Sequence, residues 1–399
     1  MQQPALPAYP RRAGFPCFSE EEIERHWEAM RGLMRRQGLD AIVAYGAGRF
    51  NQEMLWLSGW PGGREGFVLL PAAGEPMLLV QFFNHVPLAQ RLSMIRDTRW
   101  AGVDAMKTVA ERIEEIAAER DGAEPPRIGL VGPWRATDRD RLAAALDRRE
   151  SAALVDLTRA YRALRSIRSE EELAFFRVAA ELTDQSMEAL EAGIEPGMPE
   201  HRLAELIEQP YLHEGGYAGI HYLASTPMNA PRAFVPHQYL SNRPLANGDT
   251  VISEVSGSFW GYASQIHRTF TIGCDPTPEY ARLHDAAVET FEAVLGVLRD
   301  GATGADVLDA ADILHRRGYT IVDDLLHGAD QYPPILRTRH TDHGNDESFV
   351  FRENMVVTVQ PHLVTPDLRI GLQFGETVRI TRDGVETLHR YPRTMIRVA

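Results

Sequence analysis

Cysteine is scarce in this chain, which has only Cys17 and Cys274 among its 399 residues. Two thiols so far apart in the sequence favour neither a disulfide framework nor a zinc motif. The chain also lacks a run of about 20 apolar residues, the length that a membrane-spanning helix needs. Its N-terminus, MQQPALPAYPRRAGFPCF, contains no apolar stretch of signal-peptide length. We therefore expect a cytoplasmic protein with no membrane partner.

Positive charge is in deficit. The 42 lysines and arginines are outnumbered by 56 aspartates and glutamates, so the formal net charge is −14. A chain of this charge is repelled by polyanions, which predicts no nucleic-acid partner. Its 44% apolar and 25% charged residues are ordinary for a soluble globular protein. The length suits about two to three domains.

The pattern of apolar residues divides the chain into an N-terminal arm, residues 1–18, and two domains, residues 19–165 and 166–399. Ser19 precedes glutamates and apolar residues at helical spacing, as expected for a capped helix. Strand-like and helical segments then alternate, which predicts an open three-layer α/β domain. Ser169 begins a second capped helix with an acidic first turn, at the start of the C-terminal domain.

One segment of the C-terminal domain carries the most specific signal. Residues 248–273 read GDTVISEVSGSFWGYASQIHRTFTIG. This segment resembles the metal-binding hairpin of the pita-bread, peptidase M24-like family, which includes methionine aminopeptidase, prolidase, aminopeptidase P and the metal-free hydrolase creatinase. The resemblance covers residues 166–399 well and residues 19–165 more weakly. It implies an α/β N-terminal domain followed by an α+β pita-bread catalytic domain.

The resemblance places the family's metal ligands at positions where this chain has lost most of its metal-binding groups. Two aspartates of the metallopeptidases correspond to Glu254 and Gln265, the histidine to His327, and two bridging glutamates to Gln360 and Gly375. A dinuclear site needs several anionic oxygens to offset and bridge the charges of its ions. Glutamine is neutral and glycine has no side chain. We therefore predict no metal and no other cofactor.

Strand alternation predicts which side chains remain in this cavity. Successive residues of a strand point to opposite faces, so Gln265 and His267 project together. The same alternation relates Gln360 to His362, beyond Pro361.

Three residues around this cavity are predicted to bind the substrate. Gln265 and Gln360 offer amide groups for substrate binding. Glu376 is a further substrate-binding candidate, but its adjacency to Gly375 points it away from the cavity unless a bulge turns it inward.

Three histidines and one carboxylate form the predicted catalytic set. His237, in AFVPHQYL, matches the family histidine that lies over the substrate, and the equivalent histidine of creatinase transfers the proton. Because an imidazole titrates near neutrality, we expect His237 to be the general acid–base. His327, in LLHGAD, and Glu254 are expected to orient the substrate, and His267 faces the same cavity.

The N-terminal domain contributes an aromatic candidate. In creatinase- and prolidase-type dimers the first domain of one subunit reaches the active site of the other, often with an aromatic residue. The segment RFNQEMLWLSGWPGG places Trp60 before a glycine pair. The resemblance therefore predicts a homodimer in which Trp60 covers the substrate of the neighbouring subunit.

These features predict a creatinase-like, metal-independent hydrolase that cleaves a C–N bond by histidine acid–base catalysis. A carboxylate beside amide groups suits a small polar substrate such as a guanidino, ureido, amide or cyclic amidine compound. One alternative is a metal-dependent Xaa-Pro peptidase or pita-bread lyase whose ligands are aligned differently. Another is a non-catalytic binding protein of the same fold, against which the three histidines argue.

The predicted loss of the metal ligands has a direct test. The purified protein should carry no stoichiometric divalent metal, and chelators should leave its activity unchanged, because too few anionic ligands remain. Elemental analysis after dialysis measures this. Manganese, zinc, cobalt or iron near one or two equivalents per chain would contradict the prediction.

Overall fold

The computed structural model describes residues 5–118, 125–146, 153–329, 333–341 and 344–399. The chain forms two compact units, Tyr9–Arg165 and Ser166–Ala399, and residues 5–8 group with the second. The division falls between Arg165 and Ser166. No helix of the described residues is long and apolar enough to cross a membrane.

The first unit contains short strands and helices in alternation. Its strands are β1 Arg11–Arg12, β2 Phe15–Pro16, β3 Ala41–Gly46, β4 Gly66–Pro71, β5 Met77–Val80, β6 Asp97–Trp100, β7 Arg127–Val131 and β8 Ala153–Asp156. Its helices are α1 Glu20–Gln37, α2 Gln52–Ser58, α3 Val86–Leu92, α4 Ala105–Ala118, α5 Ala136–Leu146 and α6 Thr158–Arg165, with a 3-10 turn at Phe83–His85.

Part of the predicted N-terminal arm belongs to this unit. Strands β1 and β2 form an antiparallel hairpin, and Cys17 and Phe18 are buried. Only the residues before Tyr9 fall outside the unit. The arm predicted over residues 1–18 is therefore too long, because its last apolar residues are buried.

A six-stranded sheet in the order β6-β5-β4-β3-β7-β8 forms the middle layer of the first unit. Alternate residues of β3 are buried on opposite faces, as strand geometry requires. Ile42 lies in one apolar cluster with Trp56 of α2, and Val43 lies in another with Val109 of α4. This arrangement confirms the predicted three-layer α/β fold.

Trp60 belongs to the first of these cores. Its side chain is 5% exposed and shares an apolar cluster with Leu57 and Leu92. Its backbone N–H donates to the hydroxyl of Ser58 at 3.1 Å. A side chain packed in this way covers no substrate, so the predicted lid role of Trp60 is wrong. The glycine pair after it gave a misleading signal of an exposed loop.

The second unit contains the longer elements. Its helices are α7 Glu170–Gly193, α8 Leu203–His213, α9 Pro278–Val297, α10 Gly304–Ala311 and α11 Ile313–Arg316, with a 3-10 turn at Glu200–Arg202. Its strands are β9 Tyr217–Pro227, β10 Asp249–Phe259, β11 Tyr262–Ile272, β12 Thr320–Ile321, β13 Leu326–Gly328, β14 Ile335–Leu336, β15 Val356–Val359, β16 Leu363–Val364, β17 Gly375–Ile380, β18 Val385–Thr387 and β19 Ile396–Val398.

A nine-stranded sheet in the order β14-β13-β15-β17-β11-β10-β9 is the frame of this unit, with β18 beside β17 and β19 beside β11. Helix α7 begins with a capping box, in which Ser169 and Glu172 each bond the other's backbone N–H. This start is the predicted one. The helix packs against β10 and β11.

The hairpin of β10 and β11 sets the register of the sheet. Its turn residues Trp260 and Gly261 have φ values of 47° and 88°, the left-handed backbone that a two-residue hairpin turn requires. Glu254 then lies opposite His267, and Ser256 lies opposite Gln265. Directly paired residues share a face of the sheet, so Glu254, His267 and Gln265 project from one face.

Gly375 lies next to this pair at the start of β17, opposite His267. Its φ is 154°, and a Cβ atom there would lie 2.4 Å from the carbonyl oxygen of Val359 and 2.7 Å from the Cα of Gln360. Both neighbours are backbone atoms and cannot rotate away. The close approach of the strands therefore requires glycine at this position.

The requirement for glycine at residue 375 predicts a large stability loss on substitution. Gly375→Ala should lower the free energy of unfolding by about 2–4 kcal/mol, through backbone strain and overpacking together. The matched control is Gly384→Ala, since a Cβ at Gly384 meets no atom within 4 Å. Urea unfolding measures both variants. Equal stabilities would show that the contact at Gly375 does not constrain the sheet.

Candidate functional site

Polar side chains collect on one face of the C-terminal sheet, which we call the polar face and define by Glu254, Gln265 and His267. Thr358 of β15 extends it, because its hydroxyl donates to Oε1 of Gln265 at 3.4 Å. His327 of β13 lies opposite Thr358 in the sheet. The register thus brings residues from four strands onto one face.

Glu254 is a buried carboxyl group on this face. Its side chain accepts a hydrogen bond from Nε2 of Gln265 at 3.2 Å, and the residue is 6% exposed. Burial, reinforced by the negative charge of Asp323, raises the pKa of Glu254 to about 8. The carboxyl group is therefore mostly protonated at neutral pH and can act as an acid.

A chain of hydrogen bonds ends at His267, opposite Glu254. Oδ2 of Asp323 lies 3.3 Å from Nδ1 of His362, and Nε2 of His362 lies 3.1 Å from Nδ1 of His267. His267 and His362 are 0% and 1% exposed. Among the described residues, Nε2 of His267 is a buried polar atom with no hydrogen-bond partner.

The charge states along this chain follow from burial and pairing. Burial, aided by the neighbouring His362, holds the pKa of His267 well below its ordinary value. Burial also lowers the pKa of His362, against the opposing effect of Asp323. Although burial acts to raise it, the hydrogen bond from His362 holds the pKa of Asp323 at about 2. At neutral pH both imidazoles are neutral and Asp323 is ionised.

Two further groups present hydrogen-bond acceptors. Nδ1 of His327 donates to the carbonyl oxygen of Gly328 at 2.8 Å, which leaves Nε2 as an acceptor. Nε2 of Gln360 donates to the carbonyl oxygen of Asp324 at 3.2 Å. In the described part of the chain, Oε1 of Gln360 is buried without a partner. A buried acceptor without a partner, such as Oε1 of Gln360, suits a ligand that carries N–H groups.

His237 is separate from the buried cluster. It follows β9, and its backbone forms an isolated bridge with Leu223, the neighbour of Tyr222, which lies opposite Glu254. Its side chain is exposed and makes no hydrogen bond to the cluster in the described residues. The acid–base role of His237 stays a prediction.

Glu376 faces away from this group of side chains. It lies opposite Ile266, a neighbour of Gln265, and therefore projects from the other face of the sheet. Its Oε2 accepts from Nη2 of Arg268 at 2.8 Å, and its Oε1 accepts from Arg393. The predicted substrate-binding role of Glu376 is wrong, because both carboxylate oxygens are engaged in a buried ion pair.

The sequence assigned no role to His362 and Asp323, the two residues that connect to His267 by hydrogen bonds. His362 follows Gln360 in strand alternation, which is a usable signal, although Pro361 interrupts the strand pattern. Asp323 precedes β13 in a loop and pairs with a residue distant in sequence, so no local spacing connects them.

The positions that the resemblance aligns with the family's two-metal centre do not fit such a centre here. Gln265 and Gln360 offer neutral amides, and only Glu254 and His327 retain groups that readily bind a metal. At Gly375 the backbone approach leaves no space even for a Cβ atom, so a bridging glutamate has no room. Two adjacent divalent ions would lack the anionic oxygens that they need.

A different group could hold one cation. Glu254, His267 and His362 offer ligand atoms that all lie within 4.8 Å of one another. Two imidazoles and a carboxylate are a common ligand set for a single zinc or iron ion. Hydrogen bonding between His362 and His267 also explains why these ligand atoms lie close together. Metal analysis therefore distinguishes a bound cation from a site held by hydrogen bonds alone.

Sequence relatives of this chain include peptidases and hydrolases. The chain is 25% identical to the uncharacterized hydrolase/peptidase y4tL of Sinorhizobium fredii, over 96% of this chain and 98% of that protein. It is 28% identical to the ectoine hydrolase of Halomonas elongata over 58% of this chain and 60% of that protein. It is also 25% identical to the Xaa-Pro dipeptidase of Pyrococcus furiosus, over 58% and 66% respectively.

Solved structures and a family model give the fold and the family. The X-Pro aminopeptidase of Thermotoga maritima superposes with a TM-score of 0.78 at 21% identity, covering 93% of this chain and 99% of that one. The prolidase of Pyrococcus horikoshii gives 0.77 at 20% identity, over 93% and 100%. The model of metallopeptidase family M24 matches residues 174–382. The pita-bread fold expected from residues 248–273 is thus confirmed, and the chain belongs to metallopeptidase family M24.

Proposed function

We propose that this protein is a metal-independent, creatinase-like hydrolase that cleaves a C–N bond in a small polar compound. One observation carries the proposal: the buried, unpaired Nε2 of His267 lies on the strand opposite Glu254, whose carboxyl group has its pKa raised to about 8. Environments that push two titratable groups apart in pKa define an acid and a base. His267 is the base and Glu254 the acid.

His267 and Glu254 together suffice for the hydrolysis of a C–N bond. Nε2 of His267 takes a proton from water as the water oxygen bonds to the substrate carbon. Glu254 delivers its proton to the leaving nitrogen as the C–N bond breaks. The proton held by His267 then returns to Glu254 and restores the starting state. Positioned proton transfers of this kind contribute about 10²–10⁴-fold each.

The acceptors around this pair support the proposed substrate class. Nε2 of His327 and Oε1 of Gln360 present lone pairs, and a substrate rich in N–H groups would satisfy them. Guanidino, ureido, amide and cyclic amidine compounds all carry such donors. Gln265 and Gln360 would hold the substrate, and His237 would exchange protons with solvent at the exposed side. An ectoine hydrolase and an Xaa-Pro dipeptidase among the relatives support a C–N hydrolase.

The second candidate is a hydrolase that uses one bound cation. The clustering of Glu254, His267 and His362 within 4.8 Å favours it. In that case a chelator would abolish activity and one equivalent of metal would copurify. Activity that survives chelation and dialysis, with no copurifying metal, would leave the acid–base proposal in place.

The activity test uses glutamine variants on a panel of ectoine, creatine and Xaa-Pro dipeptides. Glu254→Gln and His267→Gln should each lower turnover by about 10²–10⁴-fold, because neither amide exchanges a proton. His221→Gln is the matched control, since His221 is a partly buried histidine of β9 that lies opposite Val255, on the other face of the sheet. Turnover within about threefold of the wild type in Glu254→Gln or His267→Gln would refute the role assigned to that residue.

His237→Ala and His237→Gln belong to the same series. If His237 takes part in proton transfer between the site and solvent, its loss should lower turnover by about 10²–10⁴-fold while the thermal midpoint stays near that of the wild type. If turnover changes by less than about threefold, His237 lies outside the catalytic machinery.

The raised pKa of Glu254 predicts a pH-dependent stability difference. The folded protein holds this proton up to a pH of about 8, whereas the unfolded chain releases it near 4.5. Between these values, stability falls as pH rises, by at most about 1.4 kcal/mol per pH unit. Glu254→Gln removes this dependence, so its stability relative to the wild type should increase from pH 5 to pH 8.

Thermal unfolding at several pH values measures this difference. The control is Glu205→Gln, an exposed carboxylate of α8 that pairs with Arg202. Its difference from the wild type should stay flat across the same range. A flat difference for Glu254→Gln as well would contradict a protonated Glu254 in the fold.

A further inference from the structure

The chain of hydrogen bonds behind His267 determines which of its nitrogens is free. We propose that Asp323 and His362 are positioning residues that fix His267 with its proton on Nδ1 and its lone pair on Nε2. The catalytic consequence of this arrangement rests on the proposed function. The tautomer itself is a property of the protein and can be measured without a substrate.

Two hydrogen bonds fix the orientation of the Asp323 carboxylate. Its Oδ1 accepts from the backbone N–H of Asp324 at 2.8 Å, and its Oδ2 faces Nδ1 of His362 at 3.3 Å. An ionised carboxylate has no hydrogen to donate. The proton between Asp323 and His362 therefore belongs to Nδ1 of His362.

The second step follows from the single proton of a neutral imidazole. With its proton on Nδ1, His362 has only a lone pair at Nε2. The contact of 3.1 Å between Nε2 of His362 and Nδ1 of His267 then requires His267 to donate through Nδ1. Nε2 of His267 is left bare, and it is the buried nitrogen with no partner among the described residues.

The chain also runs from solvent to the buried base. The side chain of Asp323 is 46% exposed, whereas that of His362 is 1% exposed, and His267 is fully buried. A carboxylate at the exposed end and a bare nitrogen at the buried end give the chain a fixed direction. If residue 323 donated a hydrogen bond to Nδ1 of His362 instead of accepting one, the proton of His267 would move to Nε2 and the base would be lost.

A second chain in the same unit provides a contrast. Asp184 Oδ1 lies 2.8 Å from Nδ1 of His389, whose Nε2 lies 2.8 Å from the hydroxyl of Ser264. Ser264 precedes Gln265 and projects from the opposite face of the sheet, where its hydroxyl contacts His389. These are the residue types of a hydrolytic triad, but Nε2 of His389 already has the hydroxyl of Ser264 as its hydrogen-bond partner. It therefore offers no free base.

Asp323→Asn tests the proposal most sharply. The backbone N–H of Asp324 holds the side-chain oxygen at the Oδ1 position, so the new amide N–H group faces Nδ1 of His362. That nitrogen must then accept, His362 must donate through Nε2, and His267 must carry its proton on Nε2. One substitution should exchange both tautomers without breaking any hydrogen bond.

Nitrogen-15 NMR of histidine-labelled full-length protein reads these tautomers. His267→Gln and His362→Gln assign the resonances. Wild-type His267 should show a protonated Nδ1 and a bare Nε2, and Asp323→Asn should show the reverse. A wild-type His267 with its proton on Nε2 would overturn the proposal, whether or not the variant folds. A folded Asp323→Asn variant that keeps the wild-type tautomers would also overturn it.

Two controls separate this effect from a change in charge or fold. Asp324→Asn removes the same charge from the neighbouring residue, whose carboxylate pairs with Arg337, and should leave the His267 tautomer unchanged. Asp184→Asn makes the same substitution in the second chain and should alter His389 only. A tautomer change at His267 in either control would count against Asp323 as the determinant.

Turnover distinguishes failure of this inference from failure of the proposed function. If the tautomers exchange in Asp323→Asn and kcat falls at least about tenfold with KM within about threefold, both stand. If the tautomers exchange and kcat is unchanged, the positioning role stands and His267 is not the base. If the tautomers do not exchange, the positioning role is refuted by itself.

Discussion

The register of one hairpin decides the chemistry of this protein. Because β10 and β11 pair with Glu254 opposite His267, a carboxyl group and an imidazole project from the same face at adjacent strand positions. A slip of one residue would carry both side chains to the other face, where Arg268 and Glu376 form a buried ion pair. The left-handed turn at Trp260 and Gly261 holds the register, and the contact at Gly375 continues it into the next strand.

Burial on this face raises the pKa of Glu254 and lowers the pKa of His267. A carboxyl group without a cationic partner resists ionisation, and an imidazole without a free carboxylate resists protonation. The family's usual way to ionise such a site is to place divalent cations in it. This chain has amides at Gln265 and Gln360, which tolerate a neutral carboxyl group beside them. The raised pKa of Glu254 thus fits a face on which the side chains of Gln265 and Gln360 carry no charge.

Local patterns in the sequence were sufficient to predict the fold and to place Gln265 and His267 on one face. The cap at Ser169 and the hairpin over residues 248–273 are local signals, and strand alternation placed Gln265 and His267 on one face. The predicted lid role of Trp60 was wrong, because a glycine pair indicates a turn without indicating whether the preceding side chain is buried. Asp323 escaped prediction since its contact with His362 depends on how distant segments meet, which no spacing along the chain reveals.

We propose that a proton, rather than a metal ion, occupies the site formed by Glu254, His267 and His362. Neutron diffraction from a crystal of the purified protein at pH 7 locates both kinds of occupant in one map. We expect nuclear density for a hydrogen on a carboxyl oxygen of Glu254 and no density for an ion between the three side chains. An ion bonded to all three, with Glu254 ionised, would contradict it.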